Sequence, residues 1–189
     1  MNNLFPVFLK LEQLHLLIVG GGYVGIEKLE AVLKNSPDTK IRLVAPEISD
    51  EIKKLAENHR IELIYEPYNS THLENINLVI VGTGILEVSK AVREDCLRKN
   101  ILINAADKPD LCDFYLGSVV SKGDLKIAIS TNGKSPTFAK RFREILEKIL
   151  PDSLQETLDN LQEIRNKLKG DFEYKVEKLN EITKVMKEE

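Results

Sequence analysis

Three glycines near the start of the chain have the spacing of a dinucleotide-binding turn. Gly20, Gly22 and Gly25 fill the glycine positions of G-x-G-x-x-G, between a predicted strand and a predicted helix over about residues 23–34. The first glycine permits a tight turn, the second lets a pyrophosphate approach the backbone, and the third lets helix and strand pack closely. The helix N-terminus adds free N–H groups for phosphate oxygens. A strand–helix turn that binds nothing is the alternative, and the context favours dinucleotide binding.

The end of the second predicted strand bears on which dinucleotide is bound. NAD-binding domains commonly place a carboxylate there, on the ribose hydroxyls. Here Ala45 and Pro46 follow the strand and Glu47 is the nearest carboxylate, so Glu47 or backbone groups of Pro46 and Glu47 would hold the ribose. A solvated charge is the alternative for Glu47. Arg42 lies inside the strand and does not indicate a 2′-phosphate site, so the pattern favours NAD over NADP.

Asp107 is the carboxylate best placed for acid–base chemistry. It follows the fifth predicted strand, at the edge of the sheet where ligands bind, and desolvation there would raise its pKa towards a useful range. Asp110 and Asp113 are rivals on the same argument, and a loop-capping role is the alternative for each. Cys112 has no base or second cysteine nearby in the sequence, which predicts an inert thiol.

A group of basic residues surrounds the start of a later predicted helix and would suit ligand carboxylates, unless it forms a solvated helix face. Its members are Lys134, Lys140, Arg141 and Arg143.

Composition excludes several classes of partner. The 189 residues carry 27 basic and 30 acidic side chains, a net charge of −3, so no strong field favours nucleic acid or a membrane surface. The N-terminus has no pattern of a signal peptide and no apolar run is long enough to span a bilayer, which predicts a cytoplasmic protein. Two cysteines and three scattered histidines do not predict a metal site.

Short apolar strands alternate with helical segments as far as residue 105, which predicts an α/β fold with a Rossmann-like doubly wound parallel sheet. Residues 5–9 predict an edge strand or a cover on this sheet. Ser49 predicts the N-cap of the helix that follows the second strand. Beyond residue 107 the rhythm changes to a predicted hairpin, residues 115–120 and 125–130, and a helix that Ser135 caps and Pro151 ends. Two amphipathic helices separated at Gly170 follow, the first with a capping box at Ser153 and Glu156.

Six motifs, in a fixed order, resemble those of the precorrin-2 dehydrogenase/sirohydrochlorin ferrochelatase family, which also forms the N-terminal part of sirohaem synthases. No single motif is decisive, but the ordered set is specific. The motifs are Phe5-Pro6-Val7-Phe8-Leu9, Val19-Gly20-Gly21-Gly22-Tyr23-Val24, Leu43-Val44-Ala45-Pro46-Glu47, Asn104-Ala105-Ala106-Asp107, Leu111-Cys112-Asp113-Phe114, and Ile127-Ala128-Ile129-Ser130-Thr131-Asn132-Gly133-Lys134-Ser135-Pro136.

The resemblance implies NAD-dependent dehydrogenation of precorrin-2 to sirohydrochlorin in sirohaem biosynthesis by a homodimer, and leaves metal insertion open. It implies an NAD-binding domain over residues 1–110, a hairpin-and-helix dimerisation region over 111–150, and a helical C-terminal domain over 151–189. Asp107 becomes the leading catalytic candidate. The cofactor contacts that the resemblance implies are Gly22, Tyr23, Val24, Pro46 and Glu47. The glycine motif adds Gly20 and Gly25 to the expected contacts, and the loop after strand four adds Thr83. The resemblance implies that Ser130 and Thr131 lie near the tetrapyrrole. The other expected substrate contacts are Asn104, Lys134 and Ser135, which belong to the same motifs.

The chain departs from the family at two places. Gly82-Thr83-Gly84-Ile85 replaces a pattern that usually reads Ala-Thr-Asp-Asp, and Asn132 stands where glycine is usual. The given sequence ends at Glu189 without a methyltransferase module, so the substrate is expected to arrive already methylated. An NAD-binding redox-sensing module without turnover is the alternative from a different class. Potassium-channel regulatory domains, which have a very similar glycine turn, usually place a carboxylate directly at the end of strand two, where this chain has Ala45 and Pro46.

Overall fold

The computed structural model describes residues 2–170 and 172–184, which fold as two compact units that meet in sequence between Leu116 and Gly117. The first unit is a parallel five-stranded sheet in the order β3-β2-β1-β4-β5. This is the strand order of the dinucleotide-binding α/β folds, without a sixth strand. The strands are β1 (His15–Val19), β2 (Lys40–Val44), β3 (Ile61–Ile64), β4 (Leu78–Val81) and β5 (Leu102–Ala105). The helices are α1 (Tyr23–Asn35), α2 (Asp50–Ala56) and α3 (Leu86–Lys99), with short 3₁₀ turns at Leu11–Gln13, Ser70–Leu73 and Pro109–Leu111.

Both faces of the sheet are buried, as the continuous apolar strands predict. Leu16 and Ile18 of β1 lie in one core cluster with Leu29 of α1 and Ile52 of α2. Successive side chains of a strand point to opposite faces. Leu17 and Val19 accordingly lie in the second cluster, which also contains residues of α3, Val92 and Cys96. The doubly wound parallel sheet predicted from the sequence is therefore confirmed.

The second unit is an antiparallel hairpin followed by helices. It contains β6 (Ser118–Lys122), β7 (Leu125–Ile129), α4 (Pro136–Ile149), α5 (Leu154–Lys167) and α6 (Phe172–Ile182). Gly123 turns the hairpin with φ +55°, and the amide of Asp124 donates to the side-chain oxygen of Gln155 at 2.7 Å. Helix α5 thereby holds the hairpin tip through a side chain.

Local capping signals were right twice and wrong once. The hydroxyls of Ser49 and Ser135 accept hydrogen bonds from the amides of Ile52 and Phe138, as N-caps do. The capping box predicted at Ser153 is wrong. Its φ of −76° and ψ of 4° are not the extended backbone of an N-cap, and its side chain caps no amide.

Two predicted strands differ from the structure. Residues 5–9 form neither a strand nor a cover, because they pair with no strand of the sheet and Phe5 is 86% exposed. The first hairpin strand begins at Ser118 and not at Tyr115, since the antiparallel register runs only from Ser118 opposite Ile129 to Lys122 opposite Leu125.

Candidate cofactor and active site

The glycine turn has the geometry that its pattern predicts. Gly20 has φ +128°, a conformation that other residues rarely adopt. A Cβ atom on Gly25 would lie 2.1 Å from the carbonyl oxygen of Gly20, so helix α1 starts in direct contact with the end of β1. A Cβ on Gly22 would meet nothing within 4 Å. The turn therefore has no room for a side chain at its first and third glycines, whereas the space beside the second is open.

Two further glycines complete the turn, and the motif did not point to them. A Cβ on Gly21 would lie 2.1 Å from the carbonyl oxygen of Glu47, and one on Gly82 would lie 3.1 Å from the amide nitrogen of Gly25. The loops after β2 and β4 thus press against the turn from both sides. In the sequence these glycines are marked only by their position at strand ends. Their contacts could not be predicted, because the contacting residues come from distant parts of the chain.

The first turn of α1 is free to bind an anion. Gly22 is the N-cap and offers no side-chain oxygen, and the first turn contains no acidic residue. The first amides of a helix, here those of Tyr23 and Val24, have no helical carbonyl to donate to. An open glycine, free amides and the positive end of a helix fit a pyrophosphate. These residues would hold a dinucleotide cofactor.

The loop after β2 places Pro46 and Glu47 on the surface beside the turn. Both residues are exposed, and the amide of Ser49 donates to the carbonyl oxygen of Gly21 at 2.9 Å. Arg42 is committed elsewhere. Its guanidinium donates to Glu62 at 2.9 Å and to the carbonyl oxygen of His72 at 3.0 Å. The structure thus keeps Arg42 away from a cofactor phosphate, as its position inside β2 predicts.

Thr83 shapes the loop after β4. Its hydroxyl accepts a hydrogen bond from the amide of Ile85 at 3.1 Å, next to Gly84 at φ +70°. Ile85 and Leu86 are exposed apolar residues at the start of α3. The loop therefore offers backbone groups and apolar surface, with no carboxylate between Gly82 and Ile85.

Asp107 follows β5 at the same edge of the sheet as the glycine turn. It is exposed, and its carboxylate has no partner among the described residues. Its backbone is left-handed, with φ +58°. Aspartate tolerates this conformation better than most residues. The turn is fixed by hydrogen bonds from Ala106 to the carbonyl oxygen of Val81 and from Lys108 to that of Ala105.

Two residues predicted near the reacting groups hold the loop together instead of facing open solvent. Asn104 is 6% exposed, and its side-chain amide donates to the carbonyl oxygen of Phe114 at 2.8 Å. Asp113, a sequence rival of Asp107, accepts hydrogen bonds from Arg93 of α3 and from the amide of Ile103. Its carboxylate is therefore not free in the way that of Asp107 is. Burial raises the pKa of the Cys112 thiol, in agreement with the predicted inert cysteine.

In the second unit, three of the four predicted substrate contacts shape the loop before α4. The hydroxyls of Ser130, Thr131 and Ser135 accept hydrogen bonds from the amides of Asn132, Ser135 and Phe138. Lys134 is exposed, and its ammonium group has no partner among the described residues. Asn132 has φ +54°, which explains why asparagine can replace the family's usual glycine there.

Two kinds of feature are absent from the part of the chain that the structure describes. The described residues contain no group of three or more histidine, cysteine, aspartate or glutamate side chains that could hold a metal ion. They also contain no helix that is both long and apolar enough to cross a membrane.

The fold and the open glycine turn define an α/β domain that binds a dinucleotide. The chain belongs to the family described as "Putative NAD(P)-binding", whose model matches residues 7–118, and this confirms the predicted nicotinamide cofactor. A second model, described as "Sirohaem biosynthesis protein central", matches residues 122–149. The two matches follow one another along the chain, and together they confirm the family resemblance drawn from the motifs.

Known relatives and a solved structure agree with these matches. The chain is 35% identical to a siroheme synthase of Psychrobacter arcticus over 92% of its own length and 31% of the relative's. It is also 35% identical to a siroheme synthase of Pseudoalteromonas translucida, over 89% of its length and 35% of the relative's. The chain thus spans about a third of the curated relatives it matches. The structure of SirC, a precorrin-2 dehydrogenase, superposes with a TM-score of 0.76 at 27% identity, covering 95% of this chain and 89% of SirC.

Proposed function

We propose that this protein oxidises precorrin-2 to sirohydrochlorin with NAD as the hydride acceptor. The observation that carries the proposal is the open, uncapped glycine turn, on the same sheet edge as a free aspartate, in a chain that superposes on SirC along nearly its whole length. The exposed Glu47 and the engaged Arg42 support NAD over NADP. The oxidation removes one hydride and one proton from the macrocycle, so the protein must hold the cofactor and receive a proton.

Asp107 is the proposed proton acceptor. Its carboxylate carries no protein hydrogen bond among the described residues and stands on a turn that hydrogen bonds on either side keep in place. A free, exposed carboxylate can approach a substrate proton within hydrogen-bonding distance, which is the first requirement of a general base. Asp113, which Arg93 and Ile103 already engage, lacks that freedom.

The first experiment mixes the purified protein with enzymatically made precorrin-2 and NAD, without metal and without oxygen, and follows the absorbance of NADH and sirohydrochlorin. We expect both signals to grow together. Tight NAD binding without turnover would reject the enzyme and favour the redox-sensing module instead. Adding Co²⁺ or Fe²⁺ to the same mixture after completion tests metal insertion, in which the ion is a substrate.

A pair of variants tests the role of Asp107. Asp107→Asn keeps a side chain that tolerates the left-handed backbone and removes the carboxylate. We expect kcat to fall by about 10² or more, the usual contribution of general acid–base catalysis, with NAD affinity unchanged. Asp110→Asn is the matched control, because Asp110 is exposed in the same loop. Wild-type turnover by Asp107→Asn would refute the assignment.

On the substrate side, Lys134 is the proposed contact for a carboxylate of the macrocycle. Ser130, Thr131 and Ser135 are proposed to shape this part of the substrate site through the loop that their hydroxyls hold. We expect Lys134→Gln to raise KM for precorrin-2 while KM for NAD stays the same, because only the tetrapyrrole carries several carboxylates. Lys148→Gln, on an exposed lysine of the same helix region, is the control. Equal KM values for the two variants and the wild type would exclude Lys134.

We also propose that the protein is a cytoplasmic homodimer, with residues 111–150 as its dimerisation region between the NAD-binding and C-terminal helical domains. Four exposed apolar side chains line one face of α4, two of them stacked phenylalanine rings 5.9 Å apart. They are Phe138, Phe142, Ile145 and Ile149. A second copy of the chain would cover such a face.

The dimer is tested by sedimentation velocity of the full chain. We expect Ile145→Asp to shift the protein towards monomer, because it places a charge in the centre of the apolar face. Lys140→Asp introduces the same side chain on another face of α4 and should leave the mass unchanged. A wild-type monomer, or equal masses for both variants, would refute this interface.

A further inference from the structure

The edge strand β5 is covered by the loop that follows it, through side chains of that loop. The amide of Ile103 donates to the carboxylate of Asp113 at 3.0 Å, and the amide of Asp113 donates back to the carbonyl oxygen of Ile103 at 2.8 Å. The amide of Ala105 donates to the sulfur of Cys112 at 3.2 Å. The outer groups of an edge strand would otherwise be exposed. Here the side chains of Cys112 and Asp113 and the backbone amide of Asp113 satisfy them.

The Cys112 side chain brackets Asp107, and the Asp113 side chain anchors the same loop. The Cys112 sulfur lies 3.2 Å from the carbonyl oxygen of Ala105 and 3.3 Å from that of Lys108, so it contacts the backbone on both sides of Asp107. The Asp113 carboxylate is itself fixed, because Arg93 of α3 donates to the oxygen that Ile103 also uses. Residues 112 and 113, at the end of the loop, are thus attached to β5, and Asp107 lies at the start of the same loop.

Holding Asp107 needs such support. A left-handed backbone outside glycine stores a modest strain and persists only where the surrounding contacts determine it. An exposed carboxylate on an unsupported turn would also sample many positions, and a small displacement of a reacting group is costly in rate.

We propose that Cys112 and Asp113, with Arg93 behind Asp113, are positioning residues that hold Asp107 where it acts on the substrate. The inference rests on the proposed function of Asp107 and adds to it the residues that make this carboxylate effective. None of the three is a general base here: the Asp113 carboxylate is already hydrogen-bonded twice, and the Cys112 thiol serves the backbone.

The test measures kcat, KM for both substrates and NAD affinity in four single variants. We expect Asp113→Ala and Cys112→Ala to lower kcat by about tenfold or more, with NAD affinity unchanged, because the glycine turn is held by other contacts. Arg93→Gln removes only the ion pair and should have a smaller effect in the same direction. Arg98→Gln is the matched control, since Arg98 lies on the same helix and pairs with Asp95, away from the loop.

A double variant separates positioning from simple stabilisation. If Asp113 acts through Asp107, then Asp113→Ala lowers kcat in the wild type and has no further effect in an Asp107→Asn background. A merely structural role would lower both backgrounds by the same factor, and that result would overturn the proposal. So would a wild-type kcat in Asp113→Ala and Cys112→Ala.

Amide hydrogen exchange gives a result that does not depend on turnover. We expect faster exchange over residues 103–113 in Asp113→Ala and, if that variant folds poorly, in Arg93→Gln, but not in Arg98→Gln. Unchanged exchange in both Asp113→Ala and Arg93→Gln would overturn the proposal. Absence of turnover in the wild type would instead refute the proposed function, so the two failures are distinguishable.

Discussion

Two loops at the carboxyl edge of the sheet are fixed in opposite ways. The turn after β1 owes its shape to missing side chains, because a Cβ on Gly20 would lie 2.5 Å from the carbonyl oxygen of Gly82 and one on Gly25 would meet Gly20. The loop after β5 owes its shape to side chains that are present, those of Asn104, Cys112 and Asp113. Backbone packed on backbone leaves amide groups exposed to bind phosphates, whereas side-chain contacts can fix the position of a single carboxylate.

The two loops should therefore respond differently to substitution. A substitution in the glycine turn adds atoms where no space exists, so it acts on folding and cofactor binding together. A substitution in the loop after β5 removes a contact and leaves the sheet in place, so it acts mainly on the group that the loop carries.

The largest effect is expected for Gly25→Ala. The added methyl group would lie 2.1 Å from a backbone oxygen that cannot move without shifting β1 or α1. We expect the free energy of unfolding to fall by about 3 kcal/mol and NAD binding to be lost, measured by urea denaturation and calorimetry. Wild-type stability in this variant would show that the helix can move away from the strand.

The next largest effect is a pH dependence of the stability. It comes from α3, the helix whose Arg93 supports the loop after β5. Burial raises the pKa of the Cys96 thiol on α3 from 9.0 to about 12. The folded protein keeps this proton above pH 9 while the unfolded chain loses it, so stability is full below pH 9 and falls as the pH rises towards 12. The slope from this group is up to about 1.4 kcal/mol per pH unit. Urea denaturation between pH 8 and 11 measures it.

Cys96→Ala supplies the control for the pH series. It leaves a small cavity in the core and should be less stable at every pH, but with a shallower decline above pH 9. Parallel curves for the variant and the wild type would assign the decline to other groups.

Asp107→Ala, in the loop after β5, should lower the free energy of unfolding by about 1 kcal/mol, whereas Asp107→Asn should leave it unchanged. Alanine pays for the left-handed backbone at φ +58°, which asparagine tolerates. Thermal unfolding of the two variants side by side measures the difference, and equal melting temperatures would contradict the strain argument. Both variants should lose activity, which separates the backbone from the carboxylate.

The smallest effect on stability is expected for Gly22→Ala, within about 0.5 kcal/mol of the wild type, since the backbone of Gly22 is extended and its added methyl group would meet nothing. NAD affinity should nevertheless fall, because the methyl group occupies the side from which the pyrophosphate approaches. Calorimetric titration checks this, and unchanged affinity would place the pyrophosphate elsewhere.

Much of the fold could be predicted because its signals are local. Continuous apolar strands indicated a sheet buried on both faces, and Ser49 and Ser135 marked helix starts through a hydroxyl and an amide three residues apart. Prediction failed where the outcome depended on distant partners or on backbone angles that the residue type does not reveal. Residues 5–9 looked like a strand but found no neighbouring strand, and Ser153 had the residue type of a cap without the backbone angles.

The sequence alone determined the glycine turn, the order of elements and the family, because each depends on residue types at short, fixed spacings. Only the tertiary structure shows that the Asp113 carboxylate is engaged, whereas that of Asp107, the leading candidate from the sequence, has no partner among the described residues. The deciding contacts, from Arg93 and the amide of Ile103, join residues 20 and 10 positions from Asp113. Hydrogen bonds across such separations form only once the sheet and α3 have packed, so residue types at short spacings could not predict them.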